Sequence, residues 1–200
     1  MSTVSAKAAH PAKIDGRHER TKRTRAAIVG ALTELLDEGR IEPTAVEIAE
    51  RASVAVRSIG QHFASREELL LAVAGHHASR MSRTHIESGG SFESRLEAFV
   101  DDRAHVLEAS RMMRGAAAVV AARSPAVAKA LARAAAERRA ESAALFAVEL
   151  ARSDEPEAVE RAVALVTSGR AWDALRGEMG LSAKAARAQL SFMLRAALIT

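Results

Sequence analysis

The chain has 200 residues, room for one large or two small domains, and nearly half of them are hydrophobic, so a sizeable core is possible. It has no cysteine, which excludes disulfides, thiolate metal sites and cysteine nucleophiles, and its sparse aromatics among abundant alanine favour packed helices over sheets. The net charge of +4 is uneven: residues 1–25 hold seven basic groups (Lys7, Lys13, Arg17, Arg20, Lys22, Arg23, Arg25) against two acidic ones (Asp15, Glu19).

That arm suits a polyanion, nucleic acid above all, through counterion release. A solubilising tail or an expression leader would have the same composition. No apolar run approaches the ~18 residues of a membrane span. The first residues lack a signal peptide's apolar core, so no membrane partner and a cytoplasmic location are expected.

Residues 1–20 are poor in large apolar groups and are expected to form a flexible basic arm. Ile28, Leu32, Leu35 and Leu36 recur at helical spacing and predict a helix over about 21–38, stopped by Gly39. Thr44 and Glu47 form a capping box that starts a second helix, with Ile48, Ala49 and Ala52 inward. Ser53-Val54-Ala55 reads as a turn with Val54 as its buried plug. A third helix covers about 56–63, with Ile59 and Phe63 inward and Arg57, Ser58 and Gln61 outward. Ser65 and Glu68 form a second capping box, opening a helix with Leu69, Leu70 and Val73 that is expected to continue to about Ile86. Two short helices so closely joined make a helix-turn-helix, which can place its second helix in a DNA major groove.

Ser88-Gly89-Gly90-Ser91 is the clearest interior break. Beyond it the pattern predicts helices over about 92–113, 115–123, 125–151, 154–177 and 182–199. Ser124-Pro125 supplies a cap followed by proline at the first helical position.

In the head, Arg57 can donate two hydrogen bonds to guanine O6 and N7, and Gln61, four residues on, can pair with adenine. Val56 can meet a thymine methyl or serve the core. Thr44, at a helix N-terminus, can meet a phosphate. Lys22, Arg23 and Arg25 belong to the basic run. The alternative for each is a solvated helix face.

In the body, Phe99, Met112, Met113, Val120, Phe146 and Trp172 are candidates to line a pocket for a small apolar ligand, plain core packing being the alternative. Asp101 and His105 can share a helix face, as a solvated pair or as part of a metal site lacking further ligands. Adjacent His76 and His77 point to different faces, a poor chelate. Val159, Val163, Val166 and Leu175 mark one apolar stripe; Leu190, Met193, Leu194, Ala197 and Leu198 mark another. Paired across a two-fold axis they would make a homodimer's four-helix bundle; otherwise they close the chain's own core. The sequence holds no nucleophile–base pair, phosphate loop or metal-ligand cluster, so neither an enzyme nor a cofactor is expected.

The run Thr44…Ile48-Ala49…Ala52…Val54…Ile59…His62-Phe63…Ser65-Arg66-Glu67-Glu68-Leu69 resembles the N-terminal domain of the tetracycline-repressor (TetR) family over about residues 22–73. The resemblance implies an all-α fold: a helix-turn-helix DNA-binding domain over 21–73 and a helical ligand-binding and dimerisation domain over 74–200. It also implies backbone contacts from His62 and Arg66 to double-stranded DNA, and a ligand-responsive regulator, more often a repressor. The chain departs from the family pattern at Ser53, where glycine is common in the turn, and at Ala55, where Ser or Thr caps the recognition helix. It departs again at Gly60, where an aromatic precedes the His-Phe pair, and at Ala64, where proline is frequent. A lost cap and a mid-helix glycine each cost about 1 kcal/mol. A helical binding protein with weakened DNA recognition is the rival reading.

Overall fold

The computed structural model describes residues 16–81, 86 and 89–199. Lys7, Lys13, Asp15 and the rest of the first fifteen residues lie outside the described residues, as do Ser88 and the side chain of His77. Every regular element among the described residues is helical.

Four helices build the head: α1 (Gly16–Asp37), α2 (Ala45–Arg51), α3 (Val56–His62) and α4 (Arg66–Met81). Gly16 to Arg20, expected in the flexible arm, are instead the first turns of α1. Helix α1 ends as the sequence predicts. Gly39 is left-handed at φ +88, and Arg40 N–H donates to the Leu35 carbonyl, the hydrogen bond of a Schellman stop. Ile28, Leu32, Leu35 and Leu36 of α1 are buried with Ile48, Phe63, Leu69 and Val73.

The body comprises α5 (Phe92–Ala109), α6 (Arg111–Ala121), α7 (Pro125–Leu145), α8 (Ala147–Leu150), α9 (Pro156–Val166), α10 (Gly169–Asp173) and α11 (Ala183–Leu198). Its core gathers Leu96, Val100, Leu107, Phe146, Trp172 and Leu190. Helix α6 packs on α1 and delivers Ala116 and Met113 to the head's core, so the two cores share an element.

Three expected long helices are broken, the first at a locally bonded serine and the other two where tertiary contacts meet the chain. The 92–113 helix breaks at Ser110, whose hydroxyl donates to the Val106 carbonyl and accepts from Arg114 Nη1. The 125–151 helix breaks at Phe146, which turns into the core and meets Phe99 edge-on at 5.3 Å. The 154–177 helix breaks at Thr167–Ser168. There the Thr167 carbonyl accepts from Arg103, and Ser168 Oγ caps α10 through the Ala171 N–H. Helix α10 runs on into a π-helical turn, Ala174–Glu178. It is pinned by Glu108, which accepts from Trp172 Nε1 at 2.8 Å and from both Nε and Nη2 of Arg176.

A buried ion pair joins the start of α5 to α8. Arg95 Nη2 meets Glu149 Oε1 at 2.5 Å, and Arg95 Nη1 donates to the Gly90 carbonyl.

Candidate nucleic-acid interface

Helix α2 begins with the predicted capping box: Glu47 N–H donates to Thr44 Oγ1 at 3.2 Å and Thr44 N–H to Glu47 Oε2 at 2.7 Å. The Thr44 N–H and then the Thr44 hydroxyl, both donating to Oε2, hold the Glu47 carboxyl below the usual carboxylate range. Arg66 donates to the Pro43 carbonyl at 3.0 Å, so it braces the entry to α2. On the rear face Arg51 grips Glu38 with two nitrogens, at 2.7 and 2.9 Å.

The turn between α2 and α3 closes through Val54 N–H to the Ala49 carbonyl, with Val54 packed against the core. Ser53 adopts the left-handed conformation at φ +53, where a side chain is disfavoured. Ala55 offers no side-chain cap to α3. Phe63 is buried and Ile59 packs against the same core. That fixes the inner side of α3 and leaves Val56, Arg57, Gly60 and Gln61 exposed. Val56, 47 % exposed, is therefore on the surface rather than in the core. Ser58 and His62 are half-buried.

Arg25, expected as one of the basic run, also takes part in the head's own packing. Its guanidinium stacks over the Phe63 ring at 4.1 Å and donates to the His62 carbonyl and to Glu68 Oε1. Glu68 also accepts from Ala64 N–H, and its carboxyl is lowered chiefly by that bond and then by Arg25. Arg25 thus clamps α1 to the end of α3 and the start of α4, and its charge is committed inside the head. The sequence offered a signal in Phe63 and Glu68, an aromatic and an acid set five residues apart, but nothing local pointed them at α1. Lys22 and Arg23 remain exposed.

The six candidate pocket residues do not line one cavity. Phe99, Phe146 and Trp172 pack within the body's core, Met113 joins the head's core, Met112 is exposed and Val120 is half-buried. Core packing, the alternative, holds for Phe146 and Trp172. The dimer stripes divide similarly. Val163, Leu175, Leu190, Leu194 and Leu198 are buried inside the chain's own core, with Val159, Val166 and Met193 packed against it. The large apolar groups left outward on these helices are Leu165 and Phe192, with Met179 and Ile199 beside them. Closure of the chain's own core, the alternative reading of these stripes, describes the buried positions. Asp101 pairs with Arg187 of α11 rather than with His105. Among the described residues no group of three or more His, Asp or Glu is placed to hold a metal, and no helix is long and apolar enough to cross a membrane.

No protein-family model and no curated protein matches the chain. Solved structures do. A transcriptional regulator from Rhodococcus sp. Rha1 superposes with a TM-score of 0.70 at 20 % identity, over 90 % of this chain and 96 % of the other. A TetR transcriptional regulator from Rhodococcus sp. RHA1 superposes with a TM-score of 0.51 at 20 % identity, over 90 % and 97 %. The chain thus shares its all-helical fold with these two regulators.

Proposed function

We propose that the protein is a dimeric, ligand-responsive transcriptional regulator, a repressor, that acts in the cytoplasm and binds a pseudo-palindromic operator. The observation that carries the reading is the outer face of α3. Arg57 and Gln61 stand exposed four residues apart while Ile59 and Phe63 anchor the opposite side. That is the presentation needed to read base edges in a major groove. Lys22, Arg23 and the Thr44 end of α2 would supply phosphate contacts that set register. Dimerisation would use the outward groups of α9 and α11, chiefly Leu165 and Phe192, and set two heads in successive grooves.

Helix α6 supports a route for control, since it carries residues of the head's core and also Arg114, which binds Asp173. A ligand in the body would favour an arrangement whose heads no longer fit the operator, provided its affinity differs between the two states.

The test is binding to pooled genomic fragments at two salt concentrations, with the retained DNA sequenced. Enrichment of a palindromic site that survives higher salt is expected. Purely salt-sensitive, sequence-blind retention would instead favour the rival reading, a helical binding protein with weakened DNA recognition. Uncapped Ala55 and the mid-helix Gly60 are the observations behind that rival.

A further inference from the structure

The outward side of α3 is poor in helix-favouring residues. Ala55 gives its start no side-chain cap, Val56 puts a β-branched residue in the first turn, and Gly60 lies within the helix. None of the three serves the core: all are exposed, and the head's buried cluster takes Phe63 and Ile59 instead. Gly60 is helical rather than left-handed, and a Cβ built there would meet nothing within 4 Å. Neither backbone geometry nor packing therefore asks for glycine, which costs a helix stability relative to alanine. Gly30, Gly75 and Gly115 are also helical with open space around them, and an uncrowded glycine by itself marks no site. Gly60 differs in its neighbours, the exposed Arg57 and Gln61. Local choices that oppose the fold tend to gather at functional sites.

Val56 and Gly60 are four residues apart and form one column along the exposed side of α3. Arg57 and Gln61 form the next column. Helical side chains lean toward the N-terminus, so a side chain at 60 would lie over Val56. With only a hydrogen there, the Val56 methyls stand open, 47 % exposed, beside a strip of bare backbone. Ile59 and Phe63 hold the opposite side in the head's core, so α3 cannot roll to hide Val56. The result is a shallow apolar seat beside two side chains able to read base edges.

We propose that this seat receives the 5-methyl group of a thymine, and that Gly60 is a specificity-determining position because it has no side chain. The proposal rests on the regulator reading and names a base within the operator. In the major groove thymine's methyl is the apolar group that the base pairs display. Guanine and adenine offer the hydrogen-bonding atoms that suit Arg57 and Gln61. An apolar seat next to those two groups therefore matches a thymine neighbouring the base that Arg57 holds. The rival reading, in which Gly60 weakens DNA recognition, is thereby reversed: the missing side chain leaves room for the base.

The test uses the full-length protein and the operator recovered from the pooled fragments. Each thymine is replaced in turn by deoxyuridine, symmetrically in both half-sites. The exchange removes one methyl group and leaves every hydrogen-bonding atom in place. At one position the affinity should fall about fourfold per half-site, the worth of a buried methyl. Gly60→Ala adds a methyl group to the protein at the same place. It should bind the thymine operator several-fold more weakly although its Tm rises, and should recover affinity when that one thymine becomes uracil. Val56→Ala should flatten the difference between thymine and uracil at that position alone. Uracil tolerated everywhere, Gly60→Ala binding the thymine operator as tightly as the parent or more so, or a uracil effect unchanged in both variants would each overturn the proposal. Retention that yields no operator sequence would overturn the regulator reading and this seat together, whereas an operator indifferent to uracil removes the seat alone.

Discussion

Gly60 and Gly39 should respond to the same substitution with opposite signs. Gly60 lies within α3 on its exposed side, and a Cβ built there meets nothing within 4 Å. Alanine in a helix interior is more favourable than glycine by about 0.8–1 kcal/mol, mainly because the unfolded chain loses less freedom on folding. For a chain of this size, about 1 kcal/mol moves Tm by roughly 2–4 °C. Gly60→Ala should therefore raise Tm by that amount and slow amide hydrogen exchange across residues 56–62. Gly39 has φ +88, and an added Cβ would sit 3.3 Å from Met112 Cε. The left-handed backbone penalises a side chain by roughly 1–2 kcal/mol, so Gly39→Ala should lower Tm by a few degrees. Circular dichroism melts of the two variants beside the parent suffice. If both move Tm in the same direction, or if Gly60→Ala leaves exchange on α3 unchanged, the reasoning from local backbone geometry is refuted.

Ser53→Gly should stabilise the turn by about 1 kcal/mol, since Ser53 holds φ +53; a fall in Tm would show that its hydroxyl contributes more than the backbone strain. Arg57→Ala should weaken operator binding by about 1–3 kcal/mol and relax sequence preference at one base pair while Tm stays put; a uniform loss across all sequences would make Arg57 a phosphate contact. Glu108 is lowered from 4.5 to about 2, chiefly by its hydrogen bond from Arg176. Its contribution is therefore present above pH 4.5 and lost as pH falls toward 2. Because the side chain is about a third exposed, solvent screening reduces that contribution to about 1–2 kcal/mol. Denaturant titrations from pH 6 to pH 3 should show this slope in the parent and lose part of it in Glu108→Gln; identical slopes would contradict the assignment. Phe192→Glu should dissociate the proposed dimer in sedimentation equilibrium with less than about 0.5 kcal/mol change in monomer stability, as for an exposed position. An intact dimer would move the interface elsewhere.

The head was legible because its information is local. Thr44 and Glu47 are three residues apart, Gly39 stops α1 by its own backbone, and Ile59 with Phe63 declares one side of α3. Such signals act within a helical turn or two and need no knowledge of the rest of the chain. The internal contacts of Arg25 were not legible for the same reason. Within the basic run it is one more cation, and only the approach of α1 to α3 and α4 brings His62, Phe63 and Glu68 beneath it.

In the body the sequence located the helices but not their breaks or outward faces. Nothing local at Phe146 or Thr167 forbids helix; the breaks coincide with Phe99 and Arg103 arriving from another element. Hydrophobic periodicity identifies an apolar stripe without saying what covers it. Leu190 and Leu194 could have faced a second subunit, and packing against α5 and α9 put them in the chain's own core. The sequence by itself determined the all-helical class, the helix-turn-helix and the exposed face of α3, because helical period and capping are short-range. Only the tertiary structure decided which arginines are spent on internal clamps, as Arg25, Arg95, Arg114 and Arg176 are. Charge pairing depends on distances across the fold, which no spacing along the chain encodes.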